Sequence, residues 1–209
     1  MTSFVAPLSV GAIALLFLLA AEYKDDLKLR AISKTVASSC FLWLALSWGA
    51  LNSQYGVILL LAMSFCWMGD GLLVKPGQGL MFQLGIAAFL LGHLLFAIAF
   101  ASLPLASMNL ILATLLAGLF AWRVIVWLRP YLDLFMQRAV IAYSLAISAM
   151  LVVAAGAGWW PLLAATMFAV SDLSVARDRF IAPGFANVAW GLPLYYLSQV
   201  AMAATLIYN

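Results

Sequence analysis

The sequence predicts an all-α polytopic membrane protein, a bundle of about eight transmembrane helices forming one integral membrane domain over residues 1–209. Three observations carry that expectation. Hydrophobic residues make up 67% of the chain and charged residues 8%, with a mean hydropathy of +1.13, whereas a soluble domain carries roughly 25% charged residues. Apolar runs close to the roughly 20 residues that cross a bilayer recur from one terminus to the other. Finally, every Lys and Arg falls on one side of the alternation between those runs.

The first run, Phe4 to Ala21, has no basic residue ahead of it, since Met1–Ser3 lacks Lys and Arg; the cationic stretch follows it, from Glu22 to Arg30. That order suits an uncleaved first span better than a leader peptide. Further spans are expected at Ile32 to Ala50, Tyr55 to Val74, Leu80 to Ala101, Ser107 to Leu128, Gln137 to Gly156, Trp159 to Ala176 and Phe185 to Tyr208. Turn-forming residues separate them: Asn52-Ser53-Gln54, Lys75-Pro76-Gly77, Pro104, Arg129-Pro130, Gly158 and Ala182-Pro183-Gly184.

The ten basic residues orient this chain. Lys24, Lys28 and Arg30 fall in the first loop with Lys34 just beyond it. Lys75 lies in the third, Arg129 and Arg138 in the fifth with Arg123 nearby, and Arg177 and Arg179 in the seventh. The even-numbered loops hold none. The positive-inside rule makes the odd loops cytoplasmic and places both termini outside, in a cell (inner) membrane. Trp43, Trp48, Trp159, Trp160 and Tyr208 then sit mostly near the outer boundary, as interfacial aromatics do. A net charge of +3 without a basic, aromatic-bearing face speaks against nucleic acid. Cys40 and Cys66 read as small apolar residues inside spans, and with a single histidine the chain offers too few donors for a zinc site, so neither metal nor cofactor is expected.

Asp70 and Asp172 break the pattern, because apolar residues continue on both sides of each. Each precedes a basic residue by five positions (Lys75, Arg177), about 7.5 Å inside its helix end. A carboxylate costs about 2.5–3.5 kcal/mol at mid-membrane and less near the interface, so such residues face the bundle interior or a wet cavity and are functional by default. The competing reading is a structural ion pair with Lys34 or an arginine. His93 lies mid-span on a helix line with Phe82, Phe89 and Phe96. Tyr195, Tyr196 and Gln199 share the last span with Pro193 and could equally be polar contacts between helices. A faint echo runs through the chain: Asp70 to His93 and Asp172 to Tyr195 both span 23 residues, which suggests a pseudo-repeat of two four-helix halves.

Taken in order, Gly69-Asp70, Gly79-Leu80-Met81-Phe82, His93 with Phe96-Ala97-Ile98-Ala99-Phe100, Ser171-Asp172-Leu173-Ser174, Arg179-Phe180 and Tyr195-Tyr196-Leu197-Ser198-Gln199 resemble the YhhN-like lysoplasmalogenase family. The resemblance runs from about Lys34 to the C-terminus; Phe96 stands where tyrosine is usual and Ser198 where alanine is. It implies a multi-pass hydrolase that cleaves the vinyl ether bond of a lysophospholipid substrate drawn from membrane lipid. The products would be a fatty aldehyde and glycerophosphoethanolamine or glycerophosphocholine, with Asp70 and Asp172 as the essential acids.

The chemistry is consistent with two carboxyl groups. A vinyl ether is electron-rich, so it must be protonated at carbon before water can add. One carboxyl as proton donor and one as carboxylate facing the resulting oxocarbenium ion would serve, by analogy with glycosidases; residue types alone do not assign the roles. His93, Tyr195, Tyr196 and Gln199 are expected around the dyad, and Lys34 with Arg177 or Arg179 at the phosphate. An ion- or proton-coupled carrier is the main alternative, since buried aspartates also bind ions. An intramembrane aspartyl protease is disfavoured because Met68 and Ser171 replace the glycine and tyrosine its motifs need. A purely structural membrane subunit is the remaining reading.

Overall fold

The computed structural model describes residues 4–208, excluding the side chains of Ser107 and Met108; Met1–Ser3, which bears on the leader-peptide question, lies outside it. Eight helices follow one another: α1 (Val5–Lys24), α2 (Leu27–Ser47), α3 (Gln54–Leu72), α4 (Leu80–Ala101), α5 (Ser107–Leu128), α6 (Leu134–Ala157), α7 (Trp159–Phe180) and α8 (Phe185–Tyr208). Short 3-10 turns at Ala50–Asn52 and Arg129–Tyr131 complete the regular structure among the described residues. Seven of the helices are long and apolar enough to cross a membrane. The eighth has the length, at 24 residues, but Asn187, Tyr195, Tyr196, Ser198, Gln199 and Thr205 lower its hydropathy, and all six are buried. Its polarity is turned inward, away from lipid. The chain is thus an all-α, multi-pass membrane protein.

At the basic end α2, α6 and α7 outrun their apolar spans, while α3 stops at Leu72, short of the expected Val74. The α2 helix begins at Leu27 rather than Ile32, α6 at Leu134 rather than Gln137, and α7 runs to Phe180 rather than Ala176. Lys28, Arg30, Arg138, Arg177 and Arg179 are therefore helical, not loop, residues. Hydropathy measures the apolar stretch, whereas capping sets where the helix starts. Asp26 accepts from Lys28 N and Leu29 N, Ser53 from Gly56 N, and Asp133 from Met136 N, each satisfying amides that have no helical partner. The α1–α2 connection shrinks to Asp25 and Asp26, with Asp25 left-handed at φ 53°. Between α6 and α7 a single residue both ends one helix and starts the next; its φ of 141° requires the glycine found there, Gly158.

Sequential helices pair as hairpins, α1–α2, α3–α4, α5–α6 and α7–α8, joined laterally by α2–α3 and α6–α7. Across the bundle α2 meets α8 and α4 meets α6. Shifting the numbering by 102 residues (70 to 172, 93 to 195) exchanges these pairings, so the contact pattern has an approximate two-fold character. The symmetry is incomplete: α3 also touches α8, whereas α7 makes no comparable contact with α4. The α1 helix also packs on α8, but its counterpart α5 makes no comparable contact with α4. The α5 helix stands at the edge, with Ile111, Leu112, Leu115, Leu116 and Leu119 exposed along it. A cavity lies behind its inner face, where Phe120, Val124 and Leu128 line the wall.

The basic ends of the helices meet. Arg179 donates to the carbonyls of Leu73 at 3.1 Å and Gly77 at 3.2 Å, and Gln78 Nε2 donates to the Arg179 carbonyl at 2.7 Å. At the opposite end Trp159, Trp160 and Tyr208 stack in series, with ring centroids 4.2 and 5.0 Å apart. Tyr55 there hydrogen-bonds Thr205. Cys40 and Cys66 are both free and buried, as their apolar settings suggested.

Small residues let backbones touch, the usual basis of helix association in lipid. A β-carbon on Gly56 would collide with the backbone of Ala50, including its Cα at 2.9 Å. On Gly118 it would meet nothing within 4 Å. Gly56→Ala should therefore destabilise the protein by about 1–3 kcal/mol, the usual cost of overpacking. Gly118→Ala should stabilise it by about 0.5–1 kcal/mol through helix propensity. Thermal unfolding of the two variants in one detergent checks both signs.

Candidate active site

Five helices and a sixth from the first hairpin deliver one polar cluster into the apolar interior. From α2 come Lys34 and Ser38, from α3 Asp70, from α4 His93, from α6 Tyr143, from α7 Asp172 and from α8 Tyr195. Lys34 and Ser38 are one turn apart, with Arg30 a turn earlier, so a single face of α2 carries three polar residues, all buried.

Asp70 is 3% exposed. Its Oδ2 accepts from Ser38 Oγ at 2.5 Å and from Tyr195 OH at 2.8 Å, and Lys34 Nζ lies 3.4 Å from Oδ1. All three neighbours are donors and one is a cation, so a negative charge here is compensated on both oxygens. Tyr196 OH sits 3.3 Å from Ser38 Oγ, one hydrogen bond removed from the carboxylate.

Asp172 has a different shell. Its side chain is 15% exposed. Tyr143 OH donates to Oδ2 at 3.2 Å, and His93 Nε2 lies 3.2 Å from the same oxygen. The distance suits an ion pair, but the ring nitrogen is off the line of a good hydrogen bond and so counts as unsatisfied; contacts of this kind commonly tighten when substrate binds. On its other side His93 Nδ1 is 2.7 Å from the Phe89 carbonyl. Phe168 covers one ring face at 4.3 Å and Tyr143 meets it edge-on at 5.2 Å. His93 is fully buried.

The two carboxylates are each met from the other half of the chain. Asp70 of α3 is bonded by Tyr195 of α8, and Asp172 of α7 is approached by His93 of α4. The 23-residue echo in the sequence thus corresponds to a reciprocal exchange of partners.

One cavity of about 130 Å³ is lined by Asp70, Asp172, Lys34, Tyr143 and Tyr195 among otherwise mainly apolar walls. It adjoins a second, wider hollow of about 280 Å³ at the basic end, and Lys34, Leu73, Ser174, Val175 and Leu192 belong to both. Charges of both signs line this vestibule: Arg30, Lys34 and Arg179 with Glu22, Asp25 and Asp178. Arg30 bridges Glu22 at 3.0 Å and Asp25 at 2.9 Å. Arg179 lies over the Phe82 ring, its guanidinium carbon 5.3 Å from the centroid.

Not every expected residue joins the cluster. Arg177 instead donates to Asn187 Oδ1 at 2.5 Å, tying α7 to α8, and lines neither hollow. Gln199 is fully buried beside the Cys66 thiol, with neither end of its amide hydrogen-bonded in good geometry. It lies outside the cavity wall. Conversely, Ser38, Tyr143, Arg30, Glu22 and Asp178 were not singled out by sequence. Ser38 and Arg30 carry a usable signal, since each lies one turn from Lys34; Tyr143 is a lone hydroxyl in an apolar run.

Comparison with known proteins follows the same interval. The model of the YhhN family matches residues 29–206. A pig (Sus scrofa) protein named lysoplasmalogenase TMEM86B is 34% identical over 140 residues, covering 65% of this chain and 57% of the pig protein. A bovine (Bos taurus) protein named lysoplasmalogenase TMEM86A is 29% identical over 160 residues, covering 71% of this chain and 65% of the bovine one. The matched part of this chain accordingly spans about three fifths of the length of these two relatives. No solved structure is a significant match. The family match encloses every residue that lines the carboxylate cavity, from Lys34 to Tyr195, and this chain belongs to the YhhN family.

Proposed function

We propose that this protein is a lysoplasmalogenase-type hydrolase, cleaving the vinyl ether bond of a single-chain ether lysophospholipid by acid protonation and water addition. The observation that carries the proposal is the meeting of Asp70 and Asp172 on one largely apolar cavity that adjoins a charged vestibule. The names of the mammalian relatives point the same way.

The geometry suits such a lipid. A phosphate-bearing headgroup fits the vestibule, where Arg30, Arg179 and Lys34 offer donors and Glu22 and Asp178 offer charge to an ammonium group. The ether linkage, next along the molecule, would then lie near Lys34 at the junction of the two hollows, within reach of the carboxylates. The alkenyl chain would run along the apolar wall formed by Phe120, Val124, Ile147 and Leu128. A low-dielectric wall strengthens the interaction of a carboxylate with a developing cation. The reaction needs two things from that wall: a proton for the vinyl carbon distal to oxygen, and a negative charge facing the oxocarbenium ion. Tyr195 and Ser38 hold Asp70, and His93 and Tyr143 hold Asp172, in fixed orientations. The positive-inside rule would put this basic end, and hence the headgroup entrance, on the cytoplasmic face, with both termini opposite.

Purified protein in detergent should release fatty aldehyde from an alkenyl lysophospholipid and none from the saturated ether analogue, which has no double bond to protonate. Asp70→Asn and Asp172→Asn should each lower aldehyde release on the order of 10²–10⁴-fold, the usual worth of a positioned acid–base group, without loss of the folded state. Retention of full turnover in both variants would defeat the proposal, and ion-driven uptake into liposomes without aldehyde would favour a carrier instead. Arg179→Ala, which removes a vestibule cation, should raise KM more than it lowers kcat in the same assay.

A further inference from the structure

The two aspartates sit in unlike hydrogen-bond settings, and the difference assigns their parts in the reaction proposed above, on which the following rests. Begin with the histidine. The group facing His93 Nδ1 is a backbone carbonyl, which can only accept, so Nδ1 carries a hydrogen. The group facing Nε2 is Asp172 Oδ2 at 3.2 Å. A lone pair against a carboxylate oxygen would be repulsive, so a proton belongs between them, on the ring or on the carboxyl. In either microstate His93 and Asp172 together hold one transferable proton at the cavity wall. Asp70 has no such arrangement: Ser38, Tyr195 and Lys34 all donate to it, and none presents a group that must accept.

We infer that the His93–Asp172 pair is the proton donor of this site, with Tyr143 as its positioning residue, and that Asp70 is the standing carboxylate that faces the cation. The electron balance is simple. The π pair of the vinyl group takes the shared proton at the carbon distal to oxygen, leaving positive charge over the ether oxygen and its neighbouring carbon, opposite Asp70. Water adds to that carbon and returns a proton to the His93–Asp172 pair, which is thereby reset. The hemiacetal then collapses: its carbon–oxygen bond to the glycerol breaks, and the hydroxyl proton passes to the departing oxygen. One water is consumed and nothing is oxidised. His93 acts through Asp172 and does not line the cavity itself; Phe168 and Tyr143 keep its ring plane fixed.

The chain contains a single histidine, so imidazole-labelled protein gives one pair of ¹⁵N signals, readable whether or not the enzyme turns over. The titratable groups facing the pair are Tyr143 from α6 and the Cys66 thiol from α3, with Lys34, Asp70 and Tyr195 across the cavity. We expect wild-type Nδ1 to be protonated and Nε2 to be displaced from the position of a free imidazole nitrogen. Asp172→Asn should return Nε2 to that position, and Asp70→Asn should leave it in place. In kinetics, His93→Gln should slow aldehyde release on the order of 10²-fold and flatten the alkaline limb of the pH–rate profile, the limb on which a proton donor is lost. Tyr143→Phe should give a smaller loss of the same shape. An Nε2 signal free in wild type and indifferent to Asp172→Asn would overturn the assignment, as would a His93→Gln profile of unchanged shape. If wild type released no aldehyde at all, the reaction itself would be wrong; the ¹⁵N result separates that failure from a wrong division of roles.

Discussion

Two carboxyl groups inside an apolar bundle must each be met by donors, because an unpaired buried charge is among the most costly features a membrane protein can carry. In this protein neither is satisfied by its own hairpin alone. Asp70 on α3 takes Tyr195 from α8 and Lys34 and Ser38 from α2. Asp172 on α7 takes His93 from α4 and Tyr143 from α6. The two halves of the chain therefore cross-link each other through their most expensive residues. Removing a partner would leave a carboxyl group stranded, so the site and the packing of α2, α3, α4, α6, α7 and α8 are one constraint.

Unequal surroundings follow from the same arrangement. The contact pattern of the bundle is nearly two-fold, yet the residues at corresponding positions differ: tyrosine faces one aspartate where histidine faces the other. A lysine completes the first shell and has no counterpart in the second. Approximate symmetry thus places two carboxyl groups on one cavity, and local asymmetry makes them chemically distinct, the separation that paired-carboxylate catalysis requires. A second break in symmetry is the edge position of α5, whose Phe120, Val124 and Leu128 form one wall of the cavity.

Membrane composition also explains where polarity could be hidden. The last helix is not among the seven apolar enough to cross a membrane by composition, because it supplies Tyr195, Tyr196, Ser198, Gln199 and Thr205 to the interior. The face of α2 formed by Arg30, Lys34 and Ser38 continues the polar path from vestibule to Asp70. Each of these residues is tolerable only because another helix covers it, which couples solubility in lipid to correct assembly.

Much of this was legible from the chain alone. Eight helices and their order were readable because bilayer thickness imposes a length that hydropathy reports directly. Asp70 and Asp172 stood out because charge within an apolar run has no cheap explanation, and His93 and Tyr195 stood out as polar groups within spans. The basic-side ends of α2, α6 and α7 were read short, since caps and amphipathic turns extend a helix beyond its apolar stretch. The partners were not legible: nothing in spacing says that Tyr195 bonds Asp70 rather than Asp172, that Tyr143 joins the site, or that Arg177 turns away to Asn187. Those outcomes depend on how helices distant in sequence are rotated and packed. Sequence determines what each helix buries and roughly where it begins and ends; only the tertiary arrangement decides which buried polar groups meet, because hydrogen bonds are short and directional while hydropathy is neither.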